Sequence, residues 1–502
     1  MIKTRFAPSP TGFVHIGNLR TALYAYLFAK QQKGHLILRI EDTDQERFVE
    51  GAMESLINTL KWAGLSYDEG PHPDDLTQSI GEAGPYIQSQ RLEIYKEEVQ
   101  KLLETGHAYH CFCSLERLDQ MRKDQQERHL APMYDKKCRY RPKEEIKQLL
   151  EEKAPYVIRL AIPEHDTLRF RDLVRGDLQF ESATIDDQVL VKSDGFPTYH
   201  LANVVDDHLM KVTHVIRGEE WLPSTPKHVY LYKAFNWERP EFAHIPLFLN
   251  KDKSKLSKRQ NDVAVEDYIK KGYLPEAMLN FIALLGWNPG AGETNEIFSL
   301  DQLVEKFNLG KVHKAGAVFD LERLNWFNAH YIRALSVEEF AGKIYPWLEK
   351  TDWFKGTADD LQKKEVYRLL PAIQTRITIL SEAPAILNYL LAEKLEYNPS
   401  LLKNEKMNVD LPVAKSALQA CYEDLKKHDD FSSEDAIKAC LVKTIDRLKF
   451  KNGQVLWPLR VALSGQEYSP GAFEMIFLLG KEKSLERIGK TNSSLAATPA
   501  NL

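Results

Sequence analysis

Residues 3–19 read KTRFAPSPTGFVHIGNL, and their pattern is the starting point for predicting the fold. Lys3–Ala7 is typical of a short strand, and Leu19 begins a helical repeat of apolar residues that Gly34 is placed to end. The loop between them, Pro8–Asn18, holds two prolines and two glycines, which restrict the chain and let its backbone approach a ligand. The sequence therefore predicts a strand, a ligand-binding loop and a helix in that order.

The same alternation continues downstream. Leu36–Ile40 is a second apolar run, and apolar residues from Val49 to Leu60 recur at helical spacing. Strand, helix, strand, helix is the order of a parallel, doubly wound sheet, whose ligands gather at the carboxyl ends of its strands. Around Pro197–Glu220 this order resumes. We therefore predict an α/β fold in which a Rossmann-type sheet is split by a mixed α/β insertion.

Further changes of pattern divide the rest of the chain. The insertion contains a helix at Gln90–Thr105 and a hairpin at Leu168–Glu181, and beyond about Glu266 the chain is almost wholly helical. The predicted segments are a split Rossmann catalytic domain at 1–80 and 195–250, an inserted domain at 81–194, a domain at 251–334, a helical region at 335–490 and a disordered polar tail at 491–502.

Composition is that of a soluble globular protein. The 502 residues are 43% apolar and 28% charged, with a net charge of −5, so a nucleic-acid partner would need a local basic surface. No apolar run reaches the ~20 residues that span a bilayer, and the N-terminus lacks the apolar core of a signal peptide. We expect a cytoplasmic protein with no membrane partner.

Two segments have the chemistry needed to hold a triphosphate. The Pro8–Asn18 loop leads into a helix N-terminus, where free N–H groups favour phosphate, and His15 and Asn18 add side-chain donors. The segment KSKLSKR at 253–259 places four cations and two hydroxyls in seven residues, which suits the charge of a phosphoryl transition state. The alternatives are that the first segment is only a connecting turn and the second only a solvated loop. Because both segments occur in one split nucleotide fold, an ATP site is favoured.

These segments resemble the HIGH and KMSKS motifs of class I aminoacyl-tRNA synthetases, and here they read HIGN at 15–18 and KLSKR at 255–259. Asn18 thus replaces a histidine and Leu256 a methionine, which keeps a neutral donor and leaves the phosphate contacts intact. Further stretches resemble bacterial glutamyl-tRNA synthetases, and the similarity extends from Lys3 to about Arg487. They are RFAPSPTG at 5–12, RIEDTD at 39–44, YHLANVVDD at 199–207 and IRGEEW at 216–221.

The resemblance implies a site for each substrate. Residue types agree with it, because a guanidinium fork suits the side-chain carboxylate of glutamate and Glu41 suits its ammonium group. The glutamate-binding residues would be Arg5, Ala7, Ser9, Glu41, Tyr199, Asn203 and Arg217. The ATP-binding residues would be Pro8, Thr11, Gly12, His15, Gly17, Asn18, Glu220, Trp221, Lys255, Leu256, Ser257, Lys258 and Arg259, with His15, Lys255 and Lys258 as the catalytic residues. Two structural alternatives stay open, namely an Arg5–Asp42 ion pair that only stabilises the fold and a Tyr199 that is an ordinary core aromatic.

Three of the five cysteines, Cys111, Cys113 and Cys138, lie close together in the sequence. They resemble the zinc-binding insertion of some glutamyl-tRNA synthetases, and zinc takes four ligands. Tyr140 occupies the place of the family's usual histidine ligand, while Tyr134 resembles a ligand of truncated relatives. Zinc binding and three ordinary reduced thiols are both compatible with this sequence.

By resemblance, the chain would be a ligase that activates L-glutamate with ATP and Mg²⁺, in a tRNA-dependent step, and transfers it to the 3′-terminal adenosine of tRNA(Glu). Residues 81–194 would bind the acceptor end, 251–334 the stem and 335–490 the anticodon, in a monomer. Whether tRNA(Gln) is also charged stays open. The alternatives are a glutaminyl-tRNA synthetase, whose anticodon part is built of β-barrels, a truncated paralogue without that part, and a non-catalytic tRNA-binding protein.

Overall fold

The computed structural model describes residues 1–256, 264–290, 292–357, 359–362 and 364–497. The chain separates into two compact units, Met1–Asn328 and Ala329–Leu502. Among the residues described, no helix combines the length and the apolar character needed to cross a membrane.

The first unit mixes strands and helices. Its strands are β1 (Lys3–Phe6), β2 (His35–Leu38), β3 (Gly70–His72), β4 (Asp75–Ile80), β5 (Ala108–Cys111), β6 (Val157–Leu160), β7 (Thr167–Asp172), β8 (Gly176–Glu181), β9 (Val189–Val191), β10 (His214–Gly218), β11 (Glu241–Ile245), β12 (Phe248–Leu249) and β13 (Ala317–Val318). Its helices are α1 (Ile16–Gln31), α2 (Ala52–Trp62), α3 (Leu92–Glu104), α4 (Leu115–Glu127), α5 (Lys143–Glu151), α6 (Tyr199–Leu209), α7 (Thr225–Ala234), α8 (Val265–Lys271), α9 (Pro275–Leu284), α10 (Leu300–Lys306) and α11 (Leu321–Ala334).

A six-stranded sheet in the order β2-β1-β10-β11-β7-β8 forms the centre of this unit. Five neighbouring strands of this sheet run parallel, namely β2, β1, β10, β11 and β7. The edge strand β8 runs antiparallel to β7. From β1 the chain continues toward one edge of the sheet, to β2, and from β10 it continues toward the other edge, to β11. The strand order therefore reverses between the neighbours β1 and β10. Ligand sites of doubly wound sheets lie at such a reversal. The predicted fold class is confirmed.

The start and the end of α1 show how local sequence sets this geometry. The helix begins at Ile16, with His15 as its N-cap, and ends at Gln31. The sequence pattern assigns the helix end to Gly34, but Lys33 is the residue in the left-handed conformation, with φ 51°. Gly34 is needed for another reason, because a Cβ there would collide with the Ile2 carbonyl.

The hairpin β7–β8 differs from its predicted place in the insertion. Phe242 of β11 pairs with Asp172 of β7, so the hairpin extends the main sheet. The reason is the buried face of β7, since Leu168 and Phe170 pack into the same core as Phe242. A smaller antiparallel sheet, β5-β6-β9, forms the centre of the remaining insertion.

The second unit is helical. Its helices are α12 (Val337–Leu348), α13 (Lys364–Tyr367), α14 (Leu370–Gln374), α15 (Ala383–Leu391), α16 (Leu411–Lys427), α17 (Glu434–Leu448), α18 (Asn452–Ser464) and α19 (Ala472–Ala497), the last kinked at Gly480. The described part of this unit contains no β-strand, so it offers no β-barrel of the kind that a glutaminyl-tRNA synthetase would need.

The end of α19 corrects one prediction. The helix continues to Ala497, so the expectation of a disordered tail from residue 491 is wrong for 491–497, while 498–502 lie outside the described residues. The composition there is small and polar, but tertiary contacts hold the helix. Thr491 lies 2.8 Å from the Tyr397 hydroxyl, and Leu495 is buried.

Candidate active site

Two adjoining cavities lie at the carboxyl ends of β1 and β10, where the strand order reverses. The larger has a volume of about 970 Å³ and the smaller about 190 Å³. Asn18, Thr21, Gly218 and Glu220 line both of them. The two cavities are therefore parts of one site.

Most of the residues predicted to bind substrates line these cavities. The larger cavity is lined by Arg5, Ala7, Pro8, Ser9, Thr11, Asn18, Glu41, Tyr199, Arg217, Glu220 and Trp221. The smaller is lined by His15, Gly17, Asn18, Glu220, Lys255 and Leu256. Gly12 lies at a separate small recess, and Asn203 lies one turn after Tyr199 on α6. Ser257, Lys258 and Arg259 lie outside the described residues.

Asn203 is buried although it does not line either cavity. Its side chain is 2% exposed, and its Nδ2 has no hydrogen-bond partner among the residues that the structure describes. A buried amide without a partner is unfavourable. This amide is therefore a candidate hydrogen-bond donor to a ligand.

The loop before α1 presents a helix N-terminus to the smaller cavity. The Gly17 backbone N–H donates to His15 Nδ1 at 2.9 Å. Since Nδ1 is the acceptor, the neutral ring carries its proton on Nε2. An N–H donor and a helix N-terminus thus adjoin one cavity, and both favour phosphate.

Arg20 is a cavity residue that the sequence analysis missed. Its guanidinium donates to the Leu285 carbonyl at 2.9 Å and to the Pro246 carbonyl, and it lies 3.8 Å from the Phe248 ring. Burial lowers the pKa of Arg20 to about 10. It ties α1 to the chain that leads to the KLSKR segment. The signal was its spacing from Ile16, four residues earlier on the buried face of α1.

A buried charge network lies behind the larger cavity. Arg39 contacts Asp207 at 2.7 Å and Glu41 at 2.9 Å, and Arg5 Nε lies 3.4 Å from Asp207. Burial raises the pKa of Glu41, and the positive charges of Arg39 and Arg5 oppose that rise. Arg5 therefore does form an ion pair, but its partner is Asp207 instead of Asp42, the partner considered from the sequence.

Arg217 differs from Arg5 in the charge of its partners. It is 4% exposed and ends β10. Its partners among the described residues are Tyr199 Oη at 2.9 Å, Thr225 Oγ1 at 2.8 Å, His244 Nε2 at 3.0 Å and His228 Nδ1 at 3.2 Å. Burial lowers the pKa of His244 to about 4 and that of His228 well below its usual value. All four partners are therefore neutral near pH 7.

Tyr199 is more than a core aromatic, because its hydroxyl contacts Arg217 and its ring lines the larger cavity. The ring lies 4.1 Å from that of Trp221. Trp221 lines the larger cavity beside Tyr199, and the lining of the smaller cavity does not include it.

Further cavity residues were not identified from the sequence. Arg47 and Lys192 line the larger cavity, each paired with an aspartate of the same lining, Asp44 and Asp194, and His228 and His244 contact Arg217. The signal for His244 was its place near the carboxyl end of a parallel strand, where ligand-site residues gather. No comparable signal identified Lys192, which lies in the insertion.

The cysteine cluster is a second, separate site. The Cys111, Cys113 and Cys138 sulfurs lie within 4.8 Å of one another, and Cys113 Sγ is 3.6 Å from Cys138 Sγ. Tyr134 Oη lies 3.4 Å from Cys111 Sγ and 3.3 Å from Cys113 Sγ. A tetrahedral site with Zn–S near 2.3 Å separates its sulfurs by about 3.8 Å. The four groups therefore fit zinc.

Tyr140, which occupies the place of the family's usual histidine ligand, lies elsewhere. It is 68% exposed, and its hydroxyl donates to Glu164 at 2.6 Å. Arginines surround the cluster instead, since Arg117 lies 3.4 Å from Cys113 Sγ and Arg159 lies 4.0 Å from the Tyr134 ring centre. Such cations favour thiolates, which are the form of cysteine that binds metal.

Comparison with known proteins adds independent information. A family model described as the catalytic domain of class I tRNA synthetases (E and Q) matches residues 1–326, and a model of an anticodon binding domain matches residues 339–492. A glutamate–tRNA ligase of Clostridium botulinum (strain Hall) is 47% identical over 488 residues, which is 97% of each chain. That of Chlorobaculum parvum is 46% identical over 505 residues, again 97% of each chain.

Solved structures agree with these relatives. A glutamate–tRNA ligase from Elizabethkingia meningosepticum, solved in complex with its amino acid, has a TM-score of 0.83 and 37% identity, over 98% of this chain and 99% of that one. A second, from Elizabethkingia anophelis, has a TM-score of 0.83 and 36% identity over the same shares.

Proposed function

The chain belongs to the glutamate–tRNA ligases, a family of class I tRNA synthetases, and from this premise we propose how its residues carry out the reaction. The observation that carries the proposal is Arg217, a buried guanidinium whose described partners are neutral. A buried cation that no carboxylate contacts directly favours an anion over a neutral group of the same shape. Glutamate offers that anion in its side-chain carboxylate.

Glutamate lies in the larger cavity in this proposal. Its side-chain carboxylate binds Arg217, Arg5 and the Tyr199 hydroxyl, and its ammonium group binds Glu41. Asn203 donates its partnerless Nδ2 to the α-carboxylate, and Ala7 and Ser9 complete the pocket. All of these groups except Asn203 line the larger cavity, and this shared lining supports the assignment.

ATP spans both cavities, with its triphosphate in the smaller one. The α-carboxylate of glutamate attacks the α-phosphorus, the bond to the bridging oxygen breaks, and pyrophosphate leaves. The protein supplies no nucleophile, so its contribution is position and charge. His15 donates through Nε2–H, and Lys255 and Lys258 supply positive charge. The motif residues Pro8, Thr11, Gly12, Gly17, Asn18, Leu256, Ser257 and Arg259 contribute to ATP binding, with Glu220 and Trp221 on the adenosine side.

Mg²⁺ enters this proposal together with ATP. The described residues around the cavities form no cluster of three or more metal-binding side chains, and Mg²⁺ is commonly held by substrate phosphates and few protein groups. When bound, the ion offsets the negative charge of the phosphates.

In the second step a ribose hydroxyl of the 3′-terminal adenosine of tRNA(Glu) attacks the carbonyl carbon of glutamyl-adenylate, the acyl–phosphate bond breaks, and AMP leaves. We propose that residues 81–194 bind the acceptor end, that 251–334 bind the stem and that 335–490 bind the anticodon. The match of 339–492 to an anticodon binding domain supports the last assignment. We further propose that adenylate formation requires bound tRNA, and that the enzyme acts as a cytoplasmic monomer.

Zinc is proposed at the cysteine cluster, with Cys111, Cys113, Cys138 and Tyr134 as its ligands. The spacing of the four groups supports this set. A metal there would order the segment between α4 and α5, which is otherwise irregular.

ATP–pyrophosphate exchange tests the proposed reaction. We expect exchange with glutamate in the presence of tRNA(Glu), and little exchange with glutamine or without tRNA. Exchange that proceeds equally with glutamine would contradict the role of Arg217, and exchange without tRNA would contradict tRNA dependence. Lys258→Ala should slow exchange by ~100-fold, the scale of losing one donor to transition-state charge, while tRNA binding measured by filter retention is unchanged.

A further inference from the structure

The charged residues behind the larger cavity are satisfied in two different ways. Arg5 and Arg39 both contact Asp207, so a carboxylate compensates their charges. The described partners of Arg217 satisfy four of its N–H groups, and none of them is a carboxylate. This difference follows from two pairs of side chains that have no role in the reaction described above.

The first pair is His244 and Asp172. Arg217 Nε donates to His244 Nε2 at 3.0 Å, and His244 Nδ1 lies 2.6 Å from Asp172 Oδ2. A guanidinium can only donate, so His244 Nε2 must be the acceptor and its proton must lie on Nδ1, where it is donated to Asp172. Arg217 and His244 are register partners on β10 and β11, so the sheet itself builds this contact.

Asp172 is held as a carboxylate. It accepts the backbone N–H groups of Val174 at 2.9 Å and Arg175 at 2.8 Å, and both groups of His244 that can donate. Burial alone would raise the pKa of Asp172, but the hydrogen bonds from His244 and the backbone lower it overall. An ionised Asp172 fixes the tautomer of His244 that leaves Nε2 as an acceptor.

The second pair is His228 and His200. Arg217 Nη1 lies 3.2 Å from His228 Nδ1, and His228 Nε2 lies 3.0 Å from His200 Nδ1. The same reasoning makes His228 Nδ1 an acceptor and places its proton on Nε2, donated to His200. Both nitrogens that face Arg217 are therefore uncharged acceptors.

Neutral acceptors fix the guanidinium and leave its charge intact. A guanidinium has five N–H groups, and the described contacts use four of them. One N–H of Nη2 remains, and the Tyr199 hydroxyl, which accepts from Arg217, keeps its own hydrogen to donate. Arg217 and Tyr199 both line the larger cavity. Two donors, one of them on a cation that no described carboxylate contacts directly, suit a carboxylate better than a carboxamide.

We propose that His244 and His228 are positioning residues that hold Arg217 through neutral nitrogen acceptors, with Asp172 fixing the His244 tautomer, and that this arrangement contributes to the selection of glutamate over glutamine. The inference rests on the proposed role of Arg217 in binding the side-chain carboxylate. Carboxylates in the places of His244 and His228 would satisfy the same N–H groups, but they would cancel the charge that the substrate needs.

Matched substitutions in the full-length enzyme test the inference. His244→Met removes the acceptor at similar volume, and His244→Gln keeps a neutral oxygen acceptor within reach of Arg217. His228→Leu and His228→Asn form the same comparison at the second histidine. Steady-state aminoacylation of tRNA(Glu) gives kcat and the KM values for glutamate, ATP and tRNA, and the exchange reaction gives kcat/KM for glutamate and glutamine.

We expect His244→Met to raise the KM for glutamate about tenfold or more, as losing an acceptor to a charged group does. The KM values for ATP and tRNA should change less than about twofold, and the preference for glutamate over glutamine should fall about tenfold. His244→Gln should restore the KM for glutamate to within about threefold of the unmodified enzyme. Equal effects of Met and Gln, or an unchanged preference, would overturn the inference.

Two further variants make the result unambiguous. His208→Gln removes a histidine of α6 that stacks on Trp237 and should leave all three KM values unchanged. Arg217→Gln tests the premise, because it should raise the KM for glutamate more than either histidine variant. If Arg217→Gln leaves that KM unchanged, the proposed function of Arg217 fails. If it raises the KM and His244→Met does not, the positioning role alone fails.

Discussion

At the scale of the single residue, His15 performs two tasks with its two ring nitrogens. Nδ1 accepts the Gly17 N–H and so caps α1, while Nε2 carries the proton that we assign to a phosphate of ATP. One side chain therefore supports both the helix and the charge that develops in the reaction. Substitution can separate these tasks, because asparagine can cap a helix but cannot reproduce the second nitrogen.

We predict that His15→Asn and His15→Ala both slow tRNA-dependent pyrophosphate exchange by ~100-fold, since each removes a donor to the transition state. Their effects on stability should differ. His15→Ala should lower the free energy of unfolding by about 1 kcal/mol through loss of the cap, and His15→Asn by much less. Exchange assays and urea unfolding measure the two quantities. An asparagine variant with normal exchange would show that His15 is only a cap.

At the scale of the element, the cysteine site is built from a strand end and an irregular segment. Cys111 ends β5 and Cys113 follows it, whereas Tyr134 and Cys138 lie between α4 and α5. The backbone hydrogen bonds between β5 and β6 fix the strand that carries Cys111. The segment with Tyr134 and Cys138 depends on side-chain contacts, such as the hydrogen bond from the Cys138 N–H to the Tyr134 hydroxyl at 3.0 Å. A metal would add a cross-link between the two halves.

We predict that the purified protein binds one zinc ion per chain and that Tyr134→Phe weakens zinc binding about tenfold or more, because one of four ligands is lost. Tyr140→Phe is the matched control and should bind zinc normally. Competition with a chelator, followed by elemental analysis, measures the affinity. Normal zinc binding by Tyr134→Phe would exclude the tyrosine as a ligand, and a zinc-free protein would leave three reduced thiols.

The hairpin β7–β8 shows a second effect at this scale. Its turn and its alternation are local features, and they predicted the hairpin itself. Its position depends on Leu168 and Phe170, whose buried face fits the core beside β11. The position of the hairpin also places Asp172, the last residue of β7, beside His244.

At the scale of the whole molecule, the first unit keeps several histidines in a neutral, buried state. Burial lowers the pKa of His200 to about 3 and that of His244 to about 4, whereas an unfolded histidine has a pKa near 6.5. Below about pH 6.5 the unfolded chain therefore binds protons that the folded unit does not. The contribution of these neutral histidines to the stability of the first unit is fully present above about pH 6.5. It decreases as the pH falls toward the pKa values that His200 and His244 have in the folded protein.

We predict that His200→Asn reduces this acid sensitivity, because asparagine can accept from His228 but does not titrate. Relative to the unmodified protein, the variant should gain about 1 kcal/mol of stability per pH unit between pH 6 and pH 5. Urea unfolding at pH 7, 6 and 5, followed by near-ultraviolet circular dichroism, measures the change. His129→Asn, at an exposed histidine, is the control. A constant difference at all three pH values would contradict the prediction.

Much of the fold could be predicted from the sequence because its signals are local. Apolar periodicity predicted β1, α1, β2 and the return of the sheet around α6, and the order of these elements implied their parallel pairing. The loop at Pro8–Asn18 and the residues of the resemblance predicted which side chains line the cavities. Proline restricts the backbone, glycine widens its choice of conformation, and the helix repeat is short. These effects act over a few residues, so a short stretch of sequence is enough to recognise them.

Only the tertiary structure decided which distant groups contact one another. It paired Arg5 with Asp207 and Arg217 with two neutral histidines, placed Tyr134 instead of Tyr140 beside the cysteines, and kept α19 helical to Ala497. Arg5 and Asp207 are 202 residues apart, and Arg217 lies 11 residues before His228 and 27 before His244. All of these groups are of types that could pair in several ways. Their choice depends on strand register and on the space left by packing, and these exist only once the whole core has formed.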